Sequence, residues 1–443
     1  MPIRAAEAYA WHARDGALQR LAPPGLQILW QRGPFETRQL ALRPGRWQPT
    51  WEIQHSTAAP GLQFVDQLVR GPLPRWRHQH DFVATGEHTC QLVDRIEWEL
   101  PLPPLGRWLA RWWLERLLEG MFVDRHRTTR DDLLQHARWS HVPRKTVVLA
   151  GASGLVGTAL AAYLSTAGHR VRRLVRRPVQ CDGEVQWDPQ RGAVDLEALR
   201  DADAVVNLAG ESVAGGRWTA ARQAAIVQSR LATTGTLAKA LAALGDRPRA
   251  LINASASGYY GDAGEGECFE TSPAGKGFLA DVCRQWEAAT APAEAAGVRV
   301  VRLRIGVVLS ERGGMLAQLL PVFRAGLGGP VGTGRQYLPW IALQDLLGIA
   351  EAALCDERWR GPVHAVAPQA VRQGEFAAAL GRTLRRPAVL PVPALAVRLA
   401  FGQMGQEVLL AGARLSAGKL QELEFIHQYP ELDGALAAMV GSR

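Results

Sequence analysis

The sequence predicts an α/β protein with a doubly wound, mainly parallel sheet over residues 143–390. An α+β domain over residues 1–142 precedes that sheet, and a small helical region over residues 391–443 follows it. Three observations lead to this prediction. Apolar strands alternate with segments of helical periodicity from residue 145 onward. A glycine-rich turn joins the first strand to the first helix. Ten of the fifteen tryptophans and eight of the eleven histidines lie before residue 143.

The composition limits the kinds of protein that this chain can be. Its 443 residues, 47% hydrophobic and 21% charged, suffice for about three folded domains. The five scattered cysteines form no C-x-x-C pair, which argues against a zinc site or a disulfide framework and favours a reducing cytoplasm. We predict no membrane span, because no run of about 18 apolar residues occurs. We also predict no signal peptide, because the N-terminus lacks an apolar segment.

The net charge of +9 comes from arginines that are interspersed with acidic residues. Nucleic-acid-binding proteins present a clustered basic patch or a reading motif, and the sequence has neither. We therefore expect a small-molecule substrate and no nucleic-acid partner. The oligomeric state stays open.

The first domain reads as strands followed by a helix. Four segments alternate apolar and polar side chains between turn residues, as antiparallel strands do: 47–56, 62–69, 75–83 and 89–100. Residues 105–121 repeat apolar side chains at helical spacing. A basic, tryptophan-rich helix also fits a membrane surface, but we favour a helix that packs across the sheet.

This layout resembles the START-like (SRPBCC, helix-grip) ligand-binding domains. The residues that carry the resemblance are Gly71, Pro72, Trp76, His78, His80, Phe82 and 121–125. The resemblance implies an apolar ligand between sheet and helix. His78 and His80 point to one face of a strand, but a zinc ion needs a third and usually a fourth ligand. None is signalled nearby, so we predict two half-buried histidines and no metal.

Residues 145–177 carry the most specific motif. An apolar strand over residues 145–150 leads into a glycine turn and a helix, and residues 169–175 form the next strand. This order is the context of a dinucleotide-binding Rossmann fingerprint. The predicted cofactor-binding residues in the turn are Gly151, Ser153, Gly154, Leu155, Val156 and Gly157. The glycines permit the tight turn, the approach of the pyrophosphate and the close packing of helix on strand.

The end of the second strand distinguishes NADP from NAD. An NAD site places an acidic residue there, to bind the ribose 2′-hydroxyl. This chain has Arg172, Arg173, Arg176 and Arg177 instead. An arginine can pair with a 2′-phosphate, so we predict NADP rather than NAD. Arg176 is the first candidate because it directly follows the strand.

The alternation of strands and helices continues beyond this unit. Strands are predicted over 204–209, 250–255 and 298–303, and helices over 219–244 and 277–296. Ligands of doubly wound sheets bind at the carboxyl ends of the strands. Leu208, Ala209 and Gly210 are therefore predicted to contact the cofactor.

From residue 145 the chain resembles the short-chain dehydrogenase/reductase superfamily, most closely the NAD(P)-dependent epimerase family proteins. The residues that carry the resemblance are 151–157, 207–218, 229–230, 255–262, 302–310 and 338–346. The superfamily implies chemistry by a serine, a tyrosine and a lysine four residues after the tyrosine. No tyrosine stands four residues before any lysine here, and spacing puts Leu279 and Cys283 at those two positions.

The resemblance leaves Ser255 and Tyr260 as the candidate catalytic residues, with Ser257 and Tyr259 as the alternatives. Tyr260 also fits a role in shaping its loop. We predict an NADP-dependent oxidoreductase or epimerase of unidentified substrate, with a front domain that binds an apolar ligand. The alternative is an NADP-binding sensor or scaffold without turnover.

Overall fold

The computed structural model describes residues 1–23, 25–43, 49–100, 104–214, 216–245 and 249–440, with side chains except at 104–110, 113 and 117. Residues 47 and 48 of the strand predicted over 47–56 lie outside this part. The chain forms two compact units, made mainly of residues 1–141 and of residues 142–440. No helix in the described ranges is long and apolar enough to cross a membrane.

The first unit contains an antiparallel sheet and a long helix. It begins with two short helices, α1 (Ala5–Ala13) and α2 (Ala17–Leu21). Six strands then pair in chain order: β1 (Gln27–Arg32), β2 (Gln39–Arg43), β3 (Trp51–Ala59), β4 (Gln63–Arg70), β5 (Arg75–Gly86) and β6 (Thr89–Glu99). Helix α3 (Pro104–Ala137) follows and extends sixteen residues beyond the predicted end at 121. The prediction stopped there because the continuation is polar, although it contains no glycine or proline to end a helix.

The second unit has an eight-stranded sheet of order β10-β9-β8-β7-β11-β12-β14-β17. Only β10 runs antiparallel to its neighbour. The strands are β7 (Thr146–Ala150), β8 (Arg170–Val175), β9 (Glu184–Asp188), β10 (Ala193–Val194), β11 (Ala204–Asn207), β12 (Ala250–Ala256), β14 (Arg299–Ile305) and β17 (Gly361–Ala365). After β7 the chain forms β8 and β9 on one side of β7, and later β11 on its other side. The strand order therefore reverses at β7. A doubly wound sheet binds its ligand at such a switch point.

Helices cover this sheet: α4 (Leu155–Thr166), α5 (Leu196–Arg200), α6 (Ala220–Leu244), α7 (Phe278–Ala288), α8 (Ala291–Ala295), α9 (Gly314–Arg324), α10 (Leu343–Cys355) and α11 (Gln373–Leu384). The helix predicted over 277–296 is therefore two helices. The break falls at residues 289–290, just before Pro292, which cannot continue a helix from the preceding turn. Two small strand pairs stand apart from the sheet: β13 (Glu267–Cys268) with β18 (Arg414–Leu415), and β15 (Val307–Leu309) with β16 (Trp340–Ala342).

The C-terminal region is helical, as predicted. It contains α12 (Ala394–Phe401), a π-helical turn (Gly405–Leu409), α13 (Gly418–Glu422) and α14 (Leu432–Val440). Leu432, Leu436 and Val440 bury one face of α14 in a core shared with α11. The region is thus an integral part of the second unit.

Candidate functional site

The three glycines of residues 151–157, which span the turn after β7 and the first turn of α4, lack side chains for different reasons. Gly151 has φ +81°, and a Cβ there would lie 2.7 Å from the backbone nitrogen of Ala209. A Cβ on Gly157 would lie 2.0 Å from the Gly151 carbonyl oxygen, so only glycine lets α4 approach the strand this closely. Among the described residues, a Cβ on Gly154 would meet only the same oxygen, at an ordinary 3.5 Å. Packing explains Gly151 and Gly157, whereas Gly154 leaves room for a ligand.

The N-terminus of α4 is open to solvent beside this turn. Ser153 and Gly154 are exposed, and Leu155 and Val156 are half-buried in the first helical turn. The first backbone N–H groups of a helix have no partner within it, and the helix dipole adds positive potential there. A phosphate group is the ligand that such an end binds best.

Residues 208–210 lie against the glycine turn. The backbone nitrogen of Leu208 donates to the Ala150 carbonyl at 3.0 Å. Asn207, which is fully buried, fixes this loop. Its Nδ2 donates to Thr234 and Asn253 at 2.9 and 2.8 Å, and its Oδ1 accepts from the Ala209 nitrogen at 3.2 Å. The predicted cofactor loop is therefore held beside the turn by a buried amide.

The four arginines at the end of β8 differ in their partners. Arg177 makes two hydrogen bonds to Glu184, at 2.8 and 2.6 Å, and Arg172 donates to a backbone carbonyl. The side chains of Arg173 and Arg176 have neither a hydrogen bond nor an ion pair with any residue in the described ranges. Of these two, only Arg176 lies beyond the end of the strand. Its exposed guanidinium can bind an anion beyond the strand without breaking an existing pair.

These features fit a dinucleotide. The open Gly154 and the helix end suit a pyrophosphate, and Arg176 suits a phosphate on the ribose. The turn, the 208–210 loop and the end of β8 follow three neighbouring strands at the carboxyl edge of the sheet. The structure thus brings together the residues that the sequence predicted from separate segments.

Ser255 lies in a buried ionic network at the end of β12. Its Oγ donates to Glu287 of α7 at 2.6 Å. Arg304 of β14 makes two hydrogen bonds to the same carboxylate, at 2.8 and 2.9 Å. Burial lowers the pKa of Arg304, but the hydrogen bonds and charge of Glu287 outweigh it and raise that pKa. Arg304 therefore stays charged, and Glu287, held between Arg304 and Ser255, orients the Ser255 hydroxyl.

Tyr260 is the second part of this network. Its hydroxyl accepts from Arg304 and lies 2.6 Å from His364 Nε2 and 2.9 Å from the Phe269 carbonyl. His364 Nδ1 lies 2.8 Å from the Ser416 carbonyl, which can only accept, so a neutral His364 presents Nε2 as an acceptor to Tyr260. Burial raises the pKa of Tyr260 above its usual value, although Arg304 opposes this shift. These surroundings favour a neutral, structural phenol, and a catalytic role for Tyr260 stays a prediction.

Leu279 and Cys283 lie on α7, beside the loop that follows β12. A Cβ on Gly258 would lie 3.2 Å from Leu279, and the Cys283 thiol lies within reach of Ser255. Burial, followed by the charge of Glu287, raises the pKa of Cys283 to about 12. A buried thiol with that pKa cannot act as a nucleophile near neutral pH.

The C-terminal region closes one side of the same edge. Arg217 donates to two carbonyls at the end of α12, one of them at 3.1 Å. Glu407 accepts from the backbone nitrogens of Phe278 and Leu279, at 3.1 and 2.9 Å, and so caps α7, which has no side-chain cap of its own. The rings of Trp218 and Phe278 touch edge-on beside this cap, with centroids 4.9 Å apart.

Sequence reasoning placed Asn207 only at the border of the ligand cleft and assigned no role to Glu287 and Glu407. Two of them carried a local signal. Asn207 ends a strand that is otherwise apolar, and Glu287 adjoins a tryptophan in an amphipathic helix. Glu407 carried none, because its partners lie about 130 residues away.

Comparison with known proteins places this site in a family. Residues 147–358 match the NAD dependent epimerase/dehydratase family, and residues 392–439 match a domain of unknown function. Epimerase family protein MT2273 of Mycobacterium tuberculosis is 43% identical over 66% of this chain and 96% of its own. Human epimerase family protein SDR39U1 is 36% identical over 66% of this chain and 99% of its own.

Two solved structures extend the similarity. A nucleoside-diphosphate sugar epimerase from Corynebacterium glutamicum is 32% identical, has a TM-score of 0.82 and covers the whole chain and 89% of its own. Human SDR39U1, solved with NADPH, is 35% identical, has a TM-score of 0.61 and covers 66% of this chain and 98% of its own. The chain therefore belongs to the NAD(P)-binding NAD dependent epimerase/dehydratase family, in the group of epimerase family proteins that includes SDR39U1.

Proposed function

We propose that this protein is an NADP-dependent oxidoreductase or epimerase. The observation that carries the cofactor choice is Arg176, an exposed guanidinium with no partner among the described residues. It follows the strand next to the glycine turn, where an NAD site has an acidic residue. The NADPH bound to human SDR39U1 supports the same choice.

In this proposal, different residues of the chain bind the cofactor and the substrate. The 151–157 turn and the 208–210 loop hold the pyrophosphate side, and Arg176 binds the 2′-phosphate. A nicotinamide cofactor supplies hydride transfer when bound. Ser255, whose Oγ donates to Glu287, accepts a hydrogen bond from a substrate hydroxyl, and Tyr260 keeps Arg304 and the loop in place.

The substrate is proposed to enter where the C-terminal region meets the carboxyl edge. Trp218 and Phe278 lie there, beside the Glu407 cap. The name of the Corynebacterium relative makes nucleoside-diphosphate sugars the first compounds to screen.

Calorimetric titration with NADPH and, separately, NADH tests the cofactor assignment. A charge-assisted hydrogen bond contributes about 1.5–3 kcal/mol, so Arg176→Ala is expected to weaken NADPH binding at least tenfold and leave NADH nearly unchanged. Arg177→Gln is the matched control, because Glu184 already holds that guanidinium. No binding of either cofactor would refute the proposal. Equal losses in the two variants would refute the role of Arg176.

A second candidate function is an NADP-binding sensor or scaffold without turnover. The absence of a tyrosine four residues before any lysine favours it, as does the raised pKa of Tyr260. Hydrogen exchange at a substrate carbon, or slow reduction of a carbonyl compound, would favour the enzyme. Cofactor binding that changes the protein's shape without any turnover would favour the sensor.

For the first unit we propose a START-like, helix-grip ligand-binding domain. Its six-stranded antiparallel meander followed by one long helix supports this assignment. We retain an apolar ligand as the proposal. His126 of α3 contacts Asp94 of the sheet, so the space between helix and sheet also has polar walls. A ligand that reaches them needs a polar end.

A further inference from the structure

Six titratable side chains converge on one face of the sheet of the first unit. They come from four strands and from α3, and we call them the His–Asp cluster: His55, Asp66, His78, His80, Asp94 and His126. The strand register brings them together. His55 pairs with Asp66, Asp66 with His78, and His80 with Asp94 on neighbouring strands. The predicted half-burial of His78 and His80 is wrong, because both are fully buried.

The cluster is buried but accessible from one side. The side chains of His80 and Asp94 are 3% and 6% exposed, whereas those of Asp66 and His126 are 22% and 43% exposed. Burying this many ionisable groups costs free energy that an apolar core would not. A ligand that satisfies them would offset that cost.

His80 shows what the cluster lacks. Its Nε2 lies 3.4 Å from Asp66 Oδ2, and its Nδ1 lies 2.7 Å from Asp94 Oδ1. Neither ring nitrogen makes a hydrogen bond of acceptable geometry with any described residue, although both are buried. Buried polar atoms are nearly always satisfied in native proteins, and the two carboxylates beside His80 do not give it a well-directed hydrogen bond.

We propose that His78, His80 and Asp66 bind one divalent transition-metal ion. Ligand atoms of these three residues all lie within 4.8 Å of one another. Tetrahedral zinc with bonds of about 2.0–2.1 Å needs ligand atoms about 3.4 Å apart. The His80–Asp66 pair already has that separation, and the His78 ring would have to rotate toward this pair to complete the set. The third ligand comes from a neighbouring strand, which the sequence spacing did not reveal.

Asp94 is the positioning residue of this site. Its Oδ1 lies 2.8 Å from His78 Nε2 and 2.7 Å from His80 Nδ1, which leaves the opposite nitrogen of each ring for the metal. A carboxylate behind a ligating histidine fixes the ring tautomer and orientation. Two imidazoles and one carboxylate suit zinc or ferrous iron, and three protein ligands leave room for water.

Arg125 of α3 also interacts with both carboxylates of the cluster. Its guanidinium repels a metal ion and competes with it for Asp66 and Asp94. Loss of a ligand should weaken metal binding, whereas loss of this positive charge should strengthen it. Arg125→Gln is therefore expected to bind metal more tightly than the natural protein.

The test uses the full chain after treatment with a chelator. Zinc is titrated in competition with a chromophoric chelator, and cobalt(II) is added separately to report coordination by visible absorption. We expect one zinc per chain. Asp66→Asn and His78→Gln should weaken binding at least tenfold, and Asp94→Asn should weaken it about 10–100-fold. The matched controls are Asp81→Asn, next to His80 on β5, and His88→Gln, in the exposed β5–β6 turn; neither should change affinity.

Three results would overturn the proposal. One is the absence of zinc binding at micromolar concentrations, and another is a loss as large in the controls as in the ligand variants. The third is weaker zinc binding in Arg125→Gln. If circular dichroism shows that a ligand variant does not fold, the cobalt spectrum of the natural protein tests the proposal in its place. Intense visible bands typical of four-coordinate cobalt support the site, and the weak bands of hydrated cobalt contradict it.

Discussion

The substitution Gly154→Ala separates cofactor binding from folding. Because its Cβ would lie 3.5 Å from the Gly151 oxygen, alanine fits this position without strain. We expect the free energy of unfolding to change by less than about 1 kcal/mol. The comparison is Gly157→Ala, whose Cβ would lie 2.0 Å from the same oxygen. There the turn must shift, and we expect a loss of about 1–3 kcal/mol.

Binding should respond differently from stability. The methyl group of Gly154→Ala occupies space through which a pyrophosphate must approach the end of α4. Each backbone hydrogen bond to a charged phosphate contributes about 1.5–3 kcal/mol. Losing one of them predicts NADPH binding that is at least tenfold weaker in a protein of normal stability.

Calorimetric titration with NADPH and urea unfolding of the same preparations measure the two quantities. The reasoning is refuted if Gly154→Ala binds NADPH within twofold of the natural protein, because the pyrophosphate then does not pass over residue 154. It is also refuted if Gly154→Ala loses as much stability as Gly157→Ala.

Two further predictions concern the buried groups around Ser255. Tyr260→Phe removes the hydroxyl that contacts Arg304 and His364, so the free energy of unfolding should fall by about 1–3 kcal/mol. NADPH affinity should stay within twofold. Unchanged stability with lost turnover would instead indicate a catalytic phenol. A thiolate-directed reagent at pH 8 should label Cys181 faster than the four buried cysteines, although partial burial and then Glu184 raise the Cys181 pKa. Cys181→Ser should abolish that reaction because Cys181 is exposed, and Cys283→Ser should not, because the Cys283 pKa of about 12 keeps it protonated. Rapid labelling of Cys283 would contradict this.

The cofactor side of the site was predictable because its parts are local in sequence. The strand, glycine turn and helix of residues 145–166 are consecutive, so the spacing of the three glycines could be recognised within one short segment. The choice of Arg176 needed only the position at which β8 ends. Such signals depend on spacing along the chain, so one sequence was enough to find them.

The network around Ser255 was not predictable because its partners are distant in sequence. Ser255, Glu287 and Arg304 meet only because β12 and β14 are neighbours in the sheet and α7 packs on them. The His364–Tyr260 contact spans 104 residues. A serine and a tyrosine near a strand end could be named as candidates, but the sequence does not reveal which carboxylate or guanidinium determines their protonation.

The His–Asp cluster was also not predictable, because its members are distant in sequence. Alternation along β5 correctly put His78 and His80 on one face. The prediction of no metal, however, considered only ligands close to these two histidines in sequence. In an antiparallel sheet the nearest side chains on one face belong to neighbouring strands, and a register shift of one residue would turn Asp66 to the opposite face. Register depends on turn lengths and bulges, such as the irregularity between Ser56 and Ala59 that precedes β4. A two-histidine strand in a predicted antiparallel sheet is therefore better evaluated against every acidic residue of the adjacent strands than against its own flanking sequence.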